Sequence, residues 1–226
     1  DVSRLTEKHA GRRPITTVTL PFERLPELVG RIRTAIEEGQ KIYWICPLVE
    51  ESEEIKLMSA EDRAAALRKE FGDAFTPLMF DVTDSAAVRR AADEVSTALG
   101  NGTLSGLVNN AGIAVAGPLL YLDVDEFRNQ LEVNLTGQLI VTQAFAPLLG
   151  ADVSRHGDKG RIVNITSVGG RNANPFMGQY NASKFGFEGF SESLRRELMI
   201  FGIDVIVVAP GAVATPIWDK ADQIDT

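Results

Sequence analysis

The sequence predicts an α/β fold, a single doubly wound and mainly parallel sheet covered by helices on both faces. Three observations carry this. Segments rich in β-formers alternate with segments of helical periodicity from one end of the chain to the other. No repeat, low-complexity tract or long Pro/Ser linker interrupts the alternation. The 226 residues, 44% hydrophobic and 24% charged, suit one large domain and exclude a disordered chain, collagen and a small disulfide scaffold.

In order, Asp1 to Pro14 is polar and basic and reads as an arm. Ile15 to Leu20 is a strand. Arg24 to Glu38 is a helix, with Leu25, Leu28, Val29, Ile32, Ala35 and Ile36 on one face and Gly39 closing it. Lys41 to Cys46 is a buried strand, and the acidic Glu50 to Glu54 a solvated loop or helix start. Ser59 to Phe71 is a helix opened by a capping-box spacing of Ser59 and Asp62. Phe75 to Phe80 is the next strand, followed by a helix over Ser85 to Leu99 and a strand over Leu104 to Val108. Val124 to Leu149 reads as one long helical stretch, and Gly150 to Gly160 as the most loop-like segment. A strand over Arg161 to Thr166, a helix over Gly178 to Phe201 and a strand over Ile203 to Val208 complete about six strands.

The formal charge, 23 bases against 31 acids or −8, argues against a general affinity for nucleic acid or anionic membrane. It is unevenly placed: residues 1–72 hold 12 bases and 13 acids, a net −1, which leaves −7 for residues 73–226. The lone Cys46 forms no internal disulfide, and His9 and His156 are too few for a zinc cluster, so no metal is expected. Apolar runs such as Ile203 to Pro210 fall short of the roughly 18 residues of a membrane span, and no charged-then-apolar leader opens the chain. A cytoplasmic protein is expected.

The chemistry-bearing residues cluster from Asp81 onward. Tyr180 and Lys184 are spaced i, i+4 on a helix, so their side chains share a face. Alone, that pair reads equally as two surface residues. Its company changes the reading: Ser167 follows one strand, and Asn109, Asn110, Ala111 and Gly112 follow another, at the strand ends where parallel sheets bind ligands. Asn134, Pro210 and Gly211 fall in the same frame.

From about Asp73 to Thr226 the chain resembles the short-chain dehydrogenase/reductase family, on Asn109-Asn-Ala-Gly112, Asn134, Ser167 thirteen residues before Tyr180, Tyr180-Asn-Ala-Ser-Lys184 and Pro210-Gly211 through Thr215. The resemblance implies a Rossmann-like domain and NAD- or NADP-dependent oxidoreductase chemistry on a small-molecule carbonyl or alcohol. It implies Tyr180 as general acid or base, Ser167 as holder of the substrate oxygen, and Lys184 as the cation that lowers the phenol pKa and binds the nicotinamide ribose. Asn134 would anchor a water-linked proton relay. Asn110, Gly112, Pro210, Gly211 and Thr215 would line the cofactor, and Asp81 would meet the adenine. Asp81 also reads as the N-cap or turn former before the Ser85 helix, and both readings can hold together. A homo-oligomer is compatible with the resemblance; a nucleic-acid or membrane partner is not implied.

The physical sense stands without the name. A phenol titrates near ~10, too high for a base at neutral pH, and a neighbouring ammonium stabilises the phenolate. Carbonyl reduction needs a hydride donor, which no side chain supplies, so a nicotinamide cofactor is implied.

Upstream the pattern departs. The family opens with a strand, a turn of the form Thr-Gly-x-x-x-Gly-x-Gly and a helix that carries the pyrophosphate. Residues 1–72 contain only Gly11, Gly30, Gly39 and Gly72, and the turns after their two strands read Pro21-Phe-Glu-Arg24 and Pro47-Leu-Val-Glu-Glu51. Gly11-Arg-Arg-Pro14, Ile15 to Leu20 and Gln40 to Glu54 instead resemble the start of the second motor domain of RecG-type DNA helicases. Neither the later arginine motifs of that family nor a Walker loop is present, so helicase activity is not expected. The expectation is a chimera, recombined or designed, with the helicase-like piece (1–72) and the dehydrogenase-like piece (73–226) in one domain. The family's terminal strand and most of its substrate lid are not found before Thr226, which would leave the pocket open on one side. Three readings follow: a dehydrogenase-derived protein with weak or lost cofactor binding, an inactive protein assembled from fragments of different folds, and an active reductase with an atypical phosphate turn.

Overall fold

The computed structural model describes residues 60–211 together with Thr34. The expected strands Ile15 to Leu20 and Lys41 to Cys46, the helix Arg24 to Glu38, the N-terminal arm, Ser59 and Thr215 lie outside the described residues.

Helix α1 (Ala60–Phe71) runs into a 3-10 turn at Gly72–Ala74. Phe75 to Phe80 was expected as a strand and is not one. A strand exists only through a hydrogen-bonded neighbour, and no ladder joins this segment to a described strand; Leu78 and Phe80 instead pack against the core. Helix α2 (Ser85–Leu99) has the expected limits. Its N-cap is Asp84, whose carboxylate accepts the N–H groups of Ala86 and Ala87 at 2.9 and 3.0 Å, so the cap is Asp84 and not Asp81.

Three parallel strands, β1 (Gly106–Asn109), β2 (Arg161–Ile165) and β3 (Asp204–Val208), lie side by side in that order, with Val108 opposite Val163 and Val163 opposite Ile206. Between β1 and β2 the single expected helix is broken into α3 (Val124–Leu131), a π turn at Glu132–Thr136 and α4 (Gly137–Phe145), with a second π turn at Pro147–Ala151 that contains Gly150 at φ 104°. Helix α5 (Gly178–Leu198) and a 3-10 turn at Met199–Phe201 connect β2 to β3.

These crossovers cover one face of the sheet. Val88, Ala91, Ala92 and Val95 of α2, Val141 and Phe145 of α4 and Leu198 of α5 close over Leu107, Ile162 and Val205. Wholly buried side chains such as Ile162 and Leu149 each contribute about 1.5–3 kcal/mol. Strand residues therefore alternate: Leu107, Asn109, Ile162 and Asn164 are buried, whereas Val108 and Val163 are half-buried.

Candidate active site

The carboxyl ends of β1, β2 and β3 converge on one edge. Beyond β2, the Thr166 N–H donates to the Val208 carbonyl at 2.8 Å and the Val168 N–H to the Pro210 carbonyl at 2.9 Å, so the two exits run together and set Ser167 beside Pro210 and Gly211. Ser167 is buried, and its hydroxyl accepts the Gly169 N–H at 3.0 Å, capping the 3-10 turn Val168–Gly170.

Tyr180 and Lys184 occupy successive turns at the start of α5, and both are buried. The Tyr180 phenol hydrogen-bonds the Ser167 side chain. The Lys184 ammonium donates to the Ile165 carbonyl at 3.2 Å and lies 5.8 Å from the centre of the Tyr180 ring. Burial pushes the Tyr180 phenol above its ordinary value, and the Ser167 hydrogen bond opposes this without cancelling it. Burial also lowers Lys184 to about 8. On the phenol, desolvation is the larger of the two influences and leaves Tyr180 neutral at neutral pH.

Asn134, wholly buried, sits in the π turn, a helix irregularity frequent at functional sites. Its side chain holds both backbone groups of Ile113, accepting the N–H at 2.8 Å and donating to the carbonyl at 2.9 Å, and also donates to the Ser183 hydroxyl at 2.9 Å. The expected anchor of a water relay is, by its side chain, a brace between the exit of β1, the π turn and α5.

The cofactor-side residues divide. Gly112 lies at the centre: a Cβ there would stand 3.3 Å from Asn134 Oδ1 and 3.6 Å from Lys184 Nζ, so glycine keeps the backbone accessible beside the cation. Asn110 follows β1 and is half-buried, and Gly211 is exposed. Asp81 is exposed and accepts both the N–H and the hydroxyl of Thr83 at 2.8 Å, the turn-former role. Among the described residues no group of His, Cys, Asp and Glu could hold a metal ion, and no helix is long and apolar enough to cross a membrane.

Sequence reasoning missed a set of buried amides. Gln138 donates to the Ala111 carbonyl at 2.8 Å, Gln130 accepts the Val115 N–H at 2.9 Å and Gln179 donates to the Val115 carbonyl at 2.6 Å. Below them Asn109 donates to Thr142 and to Asn164, and Asn164 to Ser191, a polar chain across the sheet into α5. The one available signal was spacing: Gln130, Asn134 and Gln138 recur every four residues.

A family model described as short chain dehydrogenase matches residues 47–225. The match begins upstream of the expected boundary at Asp73, so α1 goes with the dehydrogenase-like part. An NADPH-dependent 3-dehydrocapnine reductase from Ornithobacterium rhinotracheale is 38% identical over 71% of this chain and 56% of its own length. Retinol dehydrogenase 5 from Mus musculus is 46% identical over 62% of this chain and 42% of its own length. The chain thus spans about half the length of these curated relatives. Among solved structures, a gluconate 5-dehydrogenase from Burkholderia cenocepacia J2315 in complex with NADP and tartrate superposes with a TM-score of 0.62 at 34% identity, covering 70% of this chain and 60% of that one. A short-chain dehydrogenase from Streptomyces avermitilis gives 0.59 at 31% identity, covering 66% and 52%.

Proposed function

Because the chain belongs to the short-chain dehydrogenase family, we propose that Ser167, Tyr180 and Lys184 form a proton-transfer site for NAD- or NADP-linked interconversion of a small carbonyl compound and its alcohol. The observation that carries this is their convergence: a phenol bonded to a serine side chain, with a buried ammonium 5.8 Å from its ring, at the carboxyl end of a parallel sheet. Relatives named as reductases and retinol dehydrogenases support the reaction class.

The residues on the nicotinamide side fit such a cofactor. Lys184 has three N–H donors and uses one on Ile165 among the described residues, leaving donors for ribose hydroxyls, and Gly112 leaves the backbone beside it open. A bound nicotinamide ring supplies or accepts the hydride. In the reducing direction Tyr180, neutral at neutral pH, donates its proton to the carbonyl oxygen while the Ser167 hydroxyl fixes that oxygen; Lys184 stabilises the phenolate left behind. In the oxidising direction the phenolate takes the alcohol proton, and raising the pH favours it.

The phosphate side is read differently. Residues 1–72 contain no glycine-rich turn, and Phe22 with Glu23, or Leu48 with Glu50 and Glu51, bring bulk and like charge to the candidate turns. Losing several backbone contacts at ~1.5–3 kcal/mol each, with ~1.4 kcal/mol per tenfold in affinity, weakens a dinucleotide by orders of magnitude. The N-terminal helicase resemblance, read as a chimeric segment within one domain over residues 1–226, supplies the origin of this loss.

Turnover of a panel of small alcohols and ketones, at cofactor concentrations far above micromolar, tests the proton-transfer assignment. Turnover that disappears in Tyr180→Phe is expected; turnover that persists in that variant contradicts it.

A further inference from the structure

Three amides four residues apart, Gln130, Asn134 and Gln138, grip alternate residues of the chain leaving β1: Val115, Ile113 and Ala111 in turn. Helical positions i, i+4 and i+8 lie along one face, and alternate residues of an extended chain turn the same way, so the two spacings correspond. The row takes the place of a neighbouring strand for this segment.

At the far end Val115 is held twice, its N–H by Gln130 Oε1 and its carbonyl by Gln179 Nε2. Both glutamines are wholly buried, and their other amide atoms, Gln130 Nε2 and Gln179 Oε1, have no partner among the described residues. The amide orientations follow from chemistry. Turning Gln130 over would face its NH2 to the Val115 N–H, and turning Gln179 over would face its oxygen to the Val115 carbonyl. A buried amide that leaves half its hydrogen-bonding capacity unmet is unusual, so its value lies in the half that is met.

Gln179 directly precedes Tyr180, in the first turn of α5. Met177 at the N-cap offers that turn no side-chain hydrogen bond. The tie to Val115 joins that turn to the β1 exit, alongside the Gly117 N–H bond to the Phe176 carbonyl at 2.8 Å just before the helix and the Asn134 bond to Ser183 one turn later.

We propose that Gln130 and Gln179 are positioning residues, a two-sided clamp on Val115 that sets the register between the segment carrying Gly112 and the turn carrying Tyr180. The proposal rests on the reading of Tyr180 as the proton carrier, but its test needs neither cofactor nor turnover. An inactive protein would therefore count against that reading and leave the clamp standing.

In the full 226-residue chain, Gln130→Met and Gln179→Met each remove one hydrogen bond at nearly constant volume, whereas Gln130→Glu keeps the acceptor for the Val115 N–H. Amide exchange at Ile113 and Val115, and the phenol titration of Tyr180 by absorbance against Tyr180→Phe, read the outcome. Either Met variant alone suffices, and Gln179→Asn, with its shorter reach, gives the same comparison where a Met variant does not fold. We expect exchange at Val115 to quicken about tenfold or more with Leu107 in β1 unchanged, and the Tyr180 midpoint to fall toward that of an ordinary phenol. With its carboxyl neutral at acid pH, Gln130→Glu should keep the Val115 exchange close to that of the parent. Faster exchange with an unmoved Tyr180 midpoint would reduce the clamp to a loop fastener and overturn the proposal. Unchanged exchange, or a Gln130→Glu variant that behaves like Gln130→Met at acid pH, would overturn it as well.

Discussion

Lys184 holds its ammonium 5.8 Å from the centre of the Tyr180 ring, on the Ile165 carbonyl, and burial moves the two groups in opposite directions: the phenol up, the ammonium down to about 8. Both shifts favour the neutral forms. The fold thus holds an ammonium and a phenol in a place that resists charge, a kind of setting in which functional groups are often found.

The first prediction is a pH dependence of stability. Above 10.5 Lys184 is neutral both folded and unfolded and carries no penalty; as pH falls toward 8 the unfolded chain takes up the proton first, and stability is lost. A shift from 10.5 to about 8 corresponds to roughly 3 kcal/mol. Urea unfolding of the parent should therefore show this group's contribution rising from pH 8 toward 10, where ionisation of Tyr180 in the unfolded chain begins to oppose it. Lys184→Met should be more stable than the parent at pH 7 and lack that rise. A variant equal to or less stable than the parent at pH 7 would contradict the burial argument.

Ser167→Ala removes the hydrogen bond that pulls the Tyr180 phenol down against burial. The Tyr180 titration, read by absorbance against Tyr180→Phe, should move further up. A midpoint that stays or falls would show that Ser167 does not hold the phenol.

Asn134→Ala strands the N–H and carbonyl of half-buried Ile113, while the Ser183 hydroxyl keeps its bond to the Tyr180 carbonyl. At about 1–3 kcal/mol for each buried group left unsatisfied, partly relieved by relaxation, the loss of unfolding free energy should be about 2–4 kcal/mol. Chemical denaturation measures it, and a loss below about 1 kcal/mol would show that Asn134 is not the brace.

Gly160→Ala tests the packing between the β1 entry and the turn after α4. A Cβ at Gly160 would stand 2.3 Å from the Leu104 carbonyl oxygen and 2.6 Å from a Leu149 methyl, both in the core. With backbone on one side, the clash has little room to relax, and destabilisation of about 3 kcal/mol or more is expected in denaturant unfolding.

What the sequence made legible follows from which forces are local. Helix α2 and the strands β1, β2 and β3 are set by apolar periodicity and were readable to within about two residues. The break at Glu132–Thr136 was not, because periodicity across Val124 to Leu149 continues through it. Phe75 to Phe80 has strand composition, but pairing is decided by a distant neighbour and not by the segment itself. Within the site, the i, i+4 spacing of Tyr180 and Lys184 and the strand-end positions of Ser167 and Gly112 were legible, and their roles came from the family resemblance. Gln130, Gln138 and Gln179 were not, because a glutamine on a helix reads as solvated surface until the chain that buries it is known. The titration of Tyr180 also escaped the sequence: the contest between burial and its neighbours depends on depth, which spacing does not report.

Calorimetric titration of the 226-residue chain with NAD and with NADP tests the central proposal, a proton-transfer site combined with weak dinucleotide binding. Dissociation constants far weaker than micromolar are expected for both. Micromolar affinity for either, with turnover that disappears in Tyr180→Phe, would contradict it.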